Sequence, residues 1–293
     1  MNLYENNLHK SSRYGAFLIF LSALLFSINI LLVKIIRTGT DIPVVEITFA
    51  RFFIGFIIVA VYIKAGNLTF RPVNKRVLYL RGILNAAAVL ILFFAVEYTT
   101  ITNANVLNMT YPIFVALFSH ALIKERFHPS LIIPLLLAAV GVWMVIQPDF
   151  SMIKAGDIIG LISGLVSALA IIYLRVLRKT DETNVILFYL FAVGSVMLLV
   201  PTVPLFVMPG LYESGLLFAC SLTGVAAQYF LTHGYKFISA VGGSIVSASR
   251  VYIASILGVF FFEDPVNAVL FAGTLLIVGS NVLTARIESA NGR

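Results

Sequence analysis

From residue 15 to residue 285 the chain is a succession of apolar runs, separated by short segments that hold most of its charge. A helix of about 20 residues crosses the roughly 30 Å of hydrocarbon in a bilayer. Inside that layer each backbone N–H and C=O must be satisfied by the segment itself, which a helix does and an open strand does not. The runs fall at 15–36, 43–63, 77–96, 102–123, 130–146, 157–177, 184–207, 211–232, 239–262 and 266–285. They predict an all-α polytopic membrane protein with ten transmembrane helices. Charged residues make up 11% of the chain, against about a quarter in soluble domains. No sizeable soluble domain is therefore left over. Lys10 and Arg13 before the first run resemble the start of a signal peptide. The run is too long for a signal core and lacks a clear small-residue cleavage site, so it reads as a retained span.

The net charge of +7 does not point to nucleic acid, since basic residues collect in the cytoplasmic loops of membrane proteins. With the N-terminus inside, fourteen of the twenty Lys and Arg lie on the inner side. Lys34, Arg37 and Lys154 lie outside, and Arg51, Arg81 and Arg250 fall within spans. This bias predicts that both termini are cytoplasmic. Cys220, the single cysteine, excludes an internal disulfide.

The chain also resembles itself. Gly15, Ser22 and Lys34 match Gly156, Ser163 and Arg175 at one fixed offset, and Glu125 matches Glu263 at a nearly equal one. Residues 15–148 and 149–286 then form two five-helix units, flanked by an N-terminal segment 1–14 and a tail 287–293. Five spans is an odd number, so the second unit enters the membrane from the opposite side. Inverted repeats of this kind place a solute site near the midplane, between the halves.

Polar groups inside the spans are the candidates for that site, because charge within a bilayer is costly. Arg250 stands halfway along the ninth run, with Ser247 three residues earlier and on nearly the same face. An anchor for a carboxylate or phosphate and a structural ion pair are both open readings. Asn105, Asn108 and Tyr111 share the fourth run with Pro112, which removes a backbone donor and can kink the helix. Asn29, Ser27, Asn85 and Gln228 could complete a polar lining, with Tyr111, Tyr173, Tyr229 and Tyr252 shaping it. Glu46 and Arg51 are candidates for ion coupling or for pairing between spans, and a buried Glu46 could exchange protons. Arg81, near the inner end of its run, is expected to snorkel to the interface. Glu125 and Glu263, at corresponding ends of the two units, are expected to brace loops or gates.

The stretch AVEYTTITNANVLNMTYPIFVALFSHALIKERF, followed by LLLAAVGVWMVI, resembles the end of an EamA-type repeat of the drug/metabolite transporter superfamily. Tyr98, Thr99, Pro112, Glu125, Arg126 and Gly141 carry the likeness. FSINILLVK, with Asn29 and Lys34, resembles the family's first span, and Arg51 fits the basic residue of its second. The sequence departs from the pattern at Phe26, where the family often has Trp, at Glu263-Asp264-Pro265, and at Arg250, which aligns with Pro112. The resemblance implies a ten-helix inverted-repeat carrier in a bacterial inner membrane. Such carriers move amino acids, other small metabolites, nucleotide derivatives or drugs, often outward.

The sequence has no Walker loop, no HExxH and no cysteine cluster. The expected energy source is a gradient or counter-exchange, with H+ the candidate coupling ion and no cofactor. The expected partners are a small polar organic solute and the lipid bilayer, with the carrier a monomer or homodimer. Export of an amino acid or related carboxylate stands beside import or exchange of a larger anion, such as a nucleotide or an S-adenosylmethionine-like solute. A membrane-embedded enzyme is the reading from another class, and no clustered acid/base pair in the spans favours it.

Overall fold

A computed structural model describes residues 2–67, 70–99, 101–125, 128–147, 154–262 and 267–291. The described residues form helices and connecting turns, with no strand among them. The helices are α1 (Asn2–Gly39), α2 (Val44–Ala65), α3 (Lys75–Tyr98), α4 (Ile101–Asn108), α5 (Tyr111–Ile123) and α6 (Ile132–Ile146). They continue with α7 (Ala155–Leu177), α8 (Thr183–Thr202), α9 (Leu211–Gly234), α10 (Ala240–Ser247), α11 (Ser249–Phe262) and α12 (Ala268–Asn291). Among the described residues, nine stretches are long and apolar enough to cross a membrane. The run expected at 77–96 is not one of them. Its helix, α3, also carries Lys75, Arg76, Arg81 and Asn85, which dilute its apolar residues.

Two of the expected spans are broken. The fourth stops at Asn108 and resumes at Tyr111. Pro112 explains this, because its ring nitrogen has no hydrogen to donate to the carbonyl of Asn108 four residues back. The chain tightens instead, with Thr110 N–H and Thr110 Oγ1 both donating to the Leu107 carbonyl at 3.2 and 2.6 Å. The ninth has a one-residue break at Ala248, whose N–H donates to the Ile245 carbonyl at 3.0 Å. Arg250 lies just past this break.

Helix pairs pack antiparallel, along contacts seven residues apart. Between α1 and α9, Gly15 meets Gly234, Ser22 Oγ donates to the Ala227 carbonyl at 2.7 Å, and Asn29 Nδ2 donates to the Cys220 carbonyl at 2.6 Å. Between α3 and α7, Gly156 meets the Ala95–Thr99 backbone, and Ser163 Oγ donates to the Ala88 carbonyl at 2.9 Å. Small residues at helical spacing let backbones approach, which is how helices associate where lipid removes the hydrophobic drive. Gly156, Gly160 and Gly164 form such a stripe on α7, against the end of α3 and then α4. The α6–α12 pair uses Gly141 and Gly273 in the same way. Large apolar side chains such as Leu117, Val200 and Phe260 remain exposed on the outside, facing what would be lipid.

Polar groups tie the helix ends. At one end of the bundle Asp181 accepts from the Val73 and Asn74 amides at 2.8 and 3.3 Å. At the same end Glu125 joins Arg175, with Nε to Oε1 3.0 Å, and accepts from the Ala240 amide at the start of α10 at 3.0 Å. Arg175 also donates to the Tyr235 carbonyl at 2.7 Å, and Glu288 accepts from Ser239 Oγ. At the opposite end Thr99 Oγ1 donates to Asp157 at 2.5 Å, and Gln147 and Asn267 exchange two amide bonds at 3.0 and 3.1 Å. Glu125→Ala strips Arg175 of its carboxylate and leaves the Ala240 amide unmet. Both side chains are partly exposed, so the loss is set at about 2 kcal/mol rather than the full value for a buried pair. A lowered midpoint of thermal unfolding in detergent checks it, and Glu125→Gln, which keeps one acceptor, should lose less.

Candidate functional site

A cavity of 540 Å³ opens between the helices. It is lined from α1 by Ser27, Asn29 and Lys34, from α2 by Arg51, and from α3 by Arg81 and Asn85. Asn108, Met109 and Tyr111 reach it from the α4–α5 break, Gln228 from α9, and Ser247 and Arg250 from the α10–α11 break. No acidic residue is among the described residues that line it.

Arg250 lies against the broken fourth span. Its Nε and a terminal nitrogen point at the Met109 sulfur at 3.2 and 2.9 Å, and its Cζ lies 5.6 Å from the centre of the Tyr111 ring. A polarisable sulfur and an aromatic face can receive a cation without neutralising it. The Tyr111 hydroxyl donates to the Ser244 carbonyl at 3.4 Å, and Ser27 Oγ donates to the Arg250 carbonyl at 3.0 Å. These bonds hold both breaks at the cavity wall. The Ser247 hydroxyl donates back to the Gly243 carbonyl at 3.0 Å.

Arg51 donates to Asn29 Oδ1 at 3.2 Å. The Asn29 amide nitrogen is in turn held by the Cys220 carbonyl, so Asn29 orients Arg51 as well as lining the space. The Arg51 stem runs past Gly224, where a Cβ would come within 2.7 Å of it. Asn108 is similarly engaged, donating to Ser163 Oγ at 2.8 Å and Ser167 Oγ at 3.1 Å. By contrast, Gln228 Oε1 is buried without a hydrogen-bond partner.

One residue stands where the sequence did not put it. Arg81 does not snorkel to an interface: it is 1% exposed, lines the cavity and donates to Asn85 Oδ1 at 2.9 Å. Lys34, counted among the outer residues, also lines the cavity. The signal for Arg81 was Asn85, four residues on and so on the same helix face. Lys34 sits at the end of a run whose Asn29 and Ser27 were already assigned to the lining.

The remaining candidates lie elsewhere. Glu46 is 3% exposed and accepts from the Val207 amide at 2.9 Å, between α8 and α9. Its neighbour Arg51 donates to Asn29 instead. Pro112 starts α5 behind Tyr111, and Glu125 belongs to the helix-end cluster. Tyr173, Tyr229 and Tyr252 are not among the residues lining the cavity. Glu263 and the Asn105 side chain lie outside what the structure describes.

Nine described stretches able to cross a membrane, packed around a cavity that Arg51, Arg81 and Arg250 line, fit a membrane transporter in build. The chain belongs to the EamA-like transporter family, whose pattern it matches twice, over residues 13–147 and 154–286. The pseudopaline exporter of Pseudomonas aeruginosa is 28% identical over 284 residues, covering 94% of this chain and 96% of that protein. Solute carrier family 35 member G1 of Homo sapiens is 26% identical over 289 residues, covering 92% of this chain and 78% of that protein. A solved crystal structure with 18% identity superposes with a TM-score of 0.77, over 94% of this chain and 97% of that one, which is a likeness of fold.

Proposed function

We propose that this chain is a secondary active carrier, not an enzyme, and that it exports a small anionic metabolite by alternating access. An amino acid or related carboxylate is the solute class, and the cytoplasmic membrane of a bacterium is the location, with both termini inside. The observation that carries this reading is the cavity's charge: Arg51, Arg81 and Arg250 line it, and no acidic residue is among the described residues of the lining. Cations lining a cavity between low-dielectric walls favour an anion there. The direction is supported by a relative that is an exporter. Efflux is driven by an ion gradient, with H+ as the proposed coupling ion.

Ten spans in two inverted five-helix units are part of the proposal. Its support is the way equivalent residues make equivalent bonds. Ser22 and Ser163, matched at one offset in sequence, donate to Ala227 and Ala88, and Gly15 and Gly156 make the matching close approaches. The α1–α9 pair is thus repeated as α7–α3, as a two-fold axis between the halves requires. A cavity at such an interface can open to either side as the halves rock.

Untargeted comparison of metabolites inside and outside cells with and without the gene tests the function. An anionic metabolite should accumulate inside the deleted cells and fall in their medium. The opposite distribution would replace export with import. A profile without any anionic change would remove the anion carrier altogether.

A further inference from the structure

The carrier reading above leaves the solute as an anion, and the inference here rests on that reading and narrows the anion's chemistry. Three arginines from three helices line one cavity, and each is met by neutral groups. Arg51 has Asn29, Arg81 has Asn85, and Arg250 has the Met109 sulfur and the Tyr111 ring. Guanidinium keeps its proton in any ordinary range of pH. Taking such a charge out of water is costly until an opposite charge and further hydrogen bonds are supplied. The described lining holds no carboxylate to supply them.

The arginines are also divided between the two matched segments. Arg51 and Arg81 belong to 13–147, and Arg250 belongs to 154–286. One carboxylate fits the fork of one guanidinium, through two parallel N–H···O bonds. Three guanidinium groups therefore exceed what one carboxylate can pair with in that way.

A second observation is independent of charge. Gln228 Oε1 is buried at the lining without a donor, and the Arg81 Nε is buried without an acceptor. A carbonyl oxygen is satisfied only by an N–H or O–H group. A polar atom buried and unmet is costly. The lining therefore asks for a donor as well as for negative charge.

We propose that the solute carries at least two acidic groups, carboxylate or phosphate, together with an N–H or O–H donor. Arg250 with Tyr111 takes one acidic group, Arg51 and Arg81 take another, and Gln228 accepts from the donor. A solute of this form bridges the two halves, and a neutral-side-chain amino acid does not.

Thermal unfolding of the purified full chain in neutral detergent, at matched ionic strength, tests this with defined probes. Butyrate has one acid, glutarate has two, and 3-hydroxyglutarate has two with an O–H donor on the central carbon. Glutamine supplies the zwitterionic control, and methylenediphosphonate separates phosphate-type from carboxylate recognition. The unfolding midpoint should rise with glutarate and further with 3-hydroxyglutarate, and hardly move with butyrate or glutamine. Arg51→Gln and Arg250→Gln should each weaken the two-acid response about ten- to a hundredfold in concentration. Arg51→Lys and Arg250→Lys, which keep the charge, should recover part of it and guard against simple misfolding. Gln228→Leu should erase the advantage of 3-hydroxyglutarate over glutarate. Equal shifts with butyrate and glutarate, a larger shift with glutamine, or no shift with any two-acid probe overturns the proposal. A carrier that fails here yet exports a single-acid metabolite in the cell comparison keeps the carrier reading and loses this one.

Discussion

Arg250→Gln is expected to insert and fold as the unaltered chain does, and to move its solute about a hundredfold more slowly. The guanidinium lies at the cavity wall, held by contacts with Met109 and Tyr111 that a neutral solute could not improve on. Its replacement keeps similar length and loses the charge. A charge-assisted hydrogen bond is worth about 1.5–3 kcal/mol, and the upper value corresponds to about two powers of ten. Fold should survive, because no carboxylate among the described residues is left unpaired by the change. Efflux from cells with matched amounts of membrane-inserted protein is the measurement. Full transport by a well-folded Arg250→Gln chain would remove Arg250 from the site.

Gly156→Val should have the largest effect on the fold. A Cβ at residue 156 would stand 2.6 Å from the Ala95 carbonyl oxygen, the Thr99 nitrogen and the Tyr98 carbonyl carbon. All three belong to backbone, which cannot rotate aside as a side chain can. The start of α7 must then leave the end of α3, and with it goes the bond from Thr99 to Asp157. Overpacking of this kind costs about 3 kcal/mol. Gly215 on α9 is the control, since nothing lies within 4 Å of its absent Cβ and Gly215→Ala should be nearly silent. Unfolding temperatures of the two variants, measured side by side in detergent, decide it. Equal stability would contradict the close approach of α3 and α7.

Helix placement was largely legible in the residues, and the exceptions have local causes. Hydropathy marked the runs because burial in lipid acts on each segment separately. It marked 102–123 as one helix, whereas Pro112 divides it into α4 and α5. Pro112 was visible, but the position of the break depends on where the lost hydrogen bond falls, one turn earlier. The run at 77–96 sits within α3, which is longer at both ends and more polar than a free-standing span. Arg81 and Asn85 spend that polarity on each other and on the cavity.

The candidate site was legible as a set of residue types and less so as an arrangement. Asn29, Asn108, Tyr111, Gln228, Ser247 and Arg250 all stand at one cavity, with Arg51 beside them. Their separate tasks were not readable. Asn29 and Asn108 spend their amide nitrogens on Cys220 and on Ser163 and Ser167, contacts to helices far along the chain. Arg81 was misjudged because its distance from the end of its own run suggested an interface, and nothing local reveals which helices surround it.

What the sequence determined by itself is the solvent of this chain and the identity of its polar intruders. Twenty-residue apolar runs are local and additive, and a cation inside one is visible as soon as it is read. The tertiary structure alone decided that Arg51, Arg81 and Arg250 turn toward one space. That convergence is set by which helices are neighbours, through glycine stripes and backbone-directed serines such as Ser22 and Ser163. Such contacts join residues more than fifty positions apart, where hydropathy and helical period carry no information.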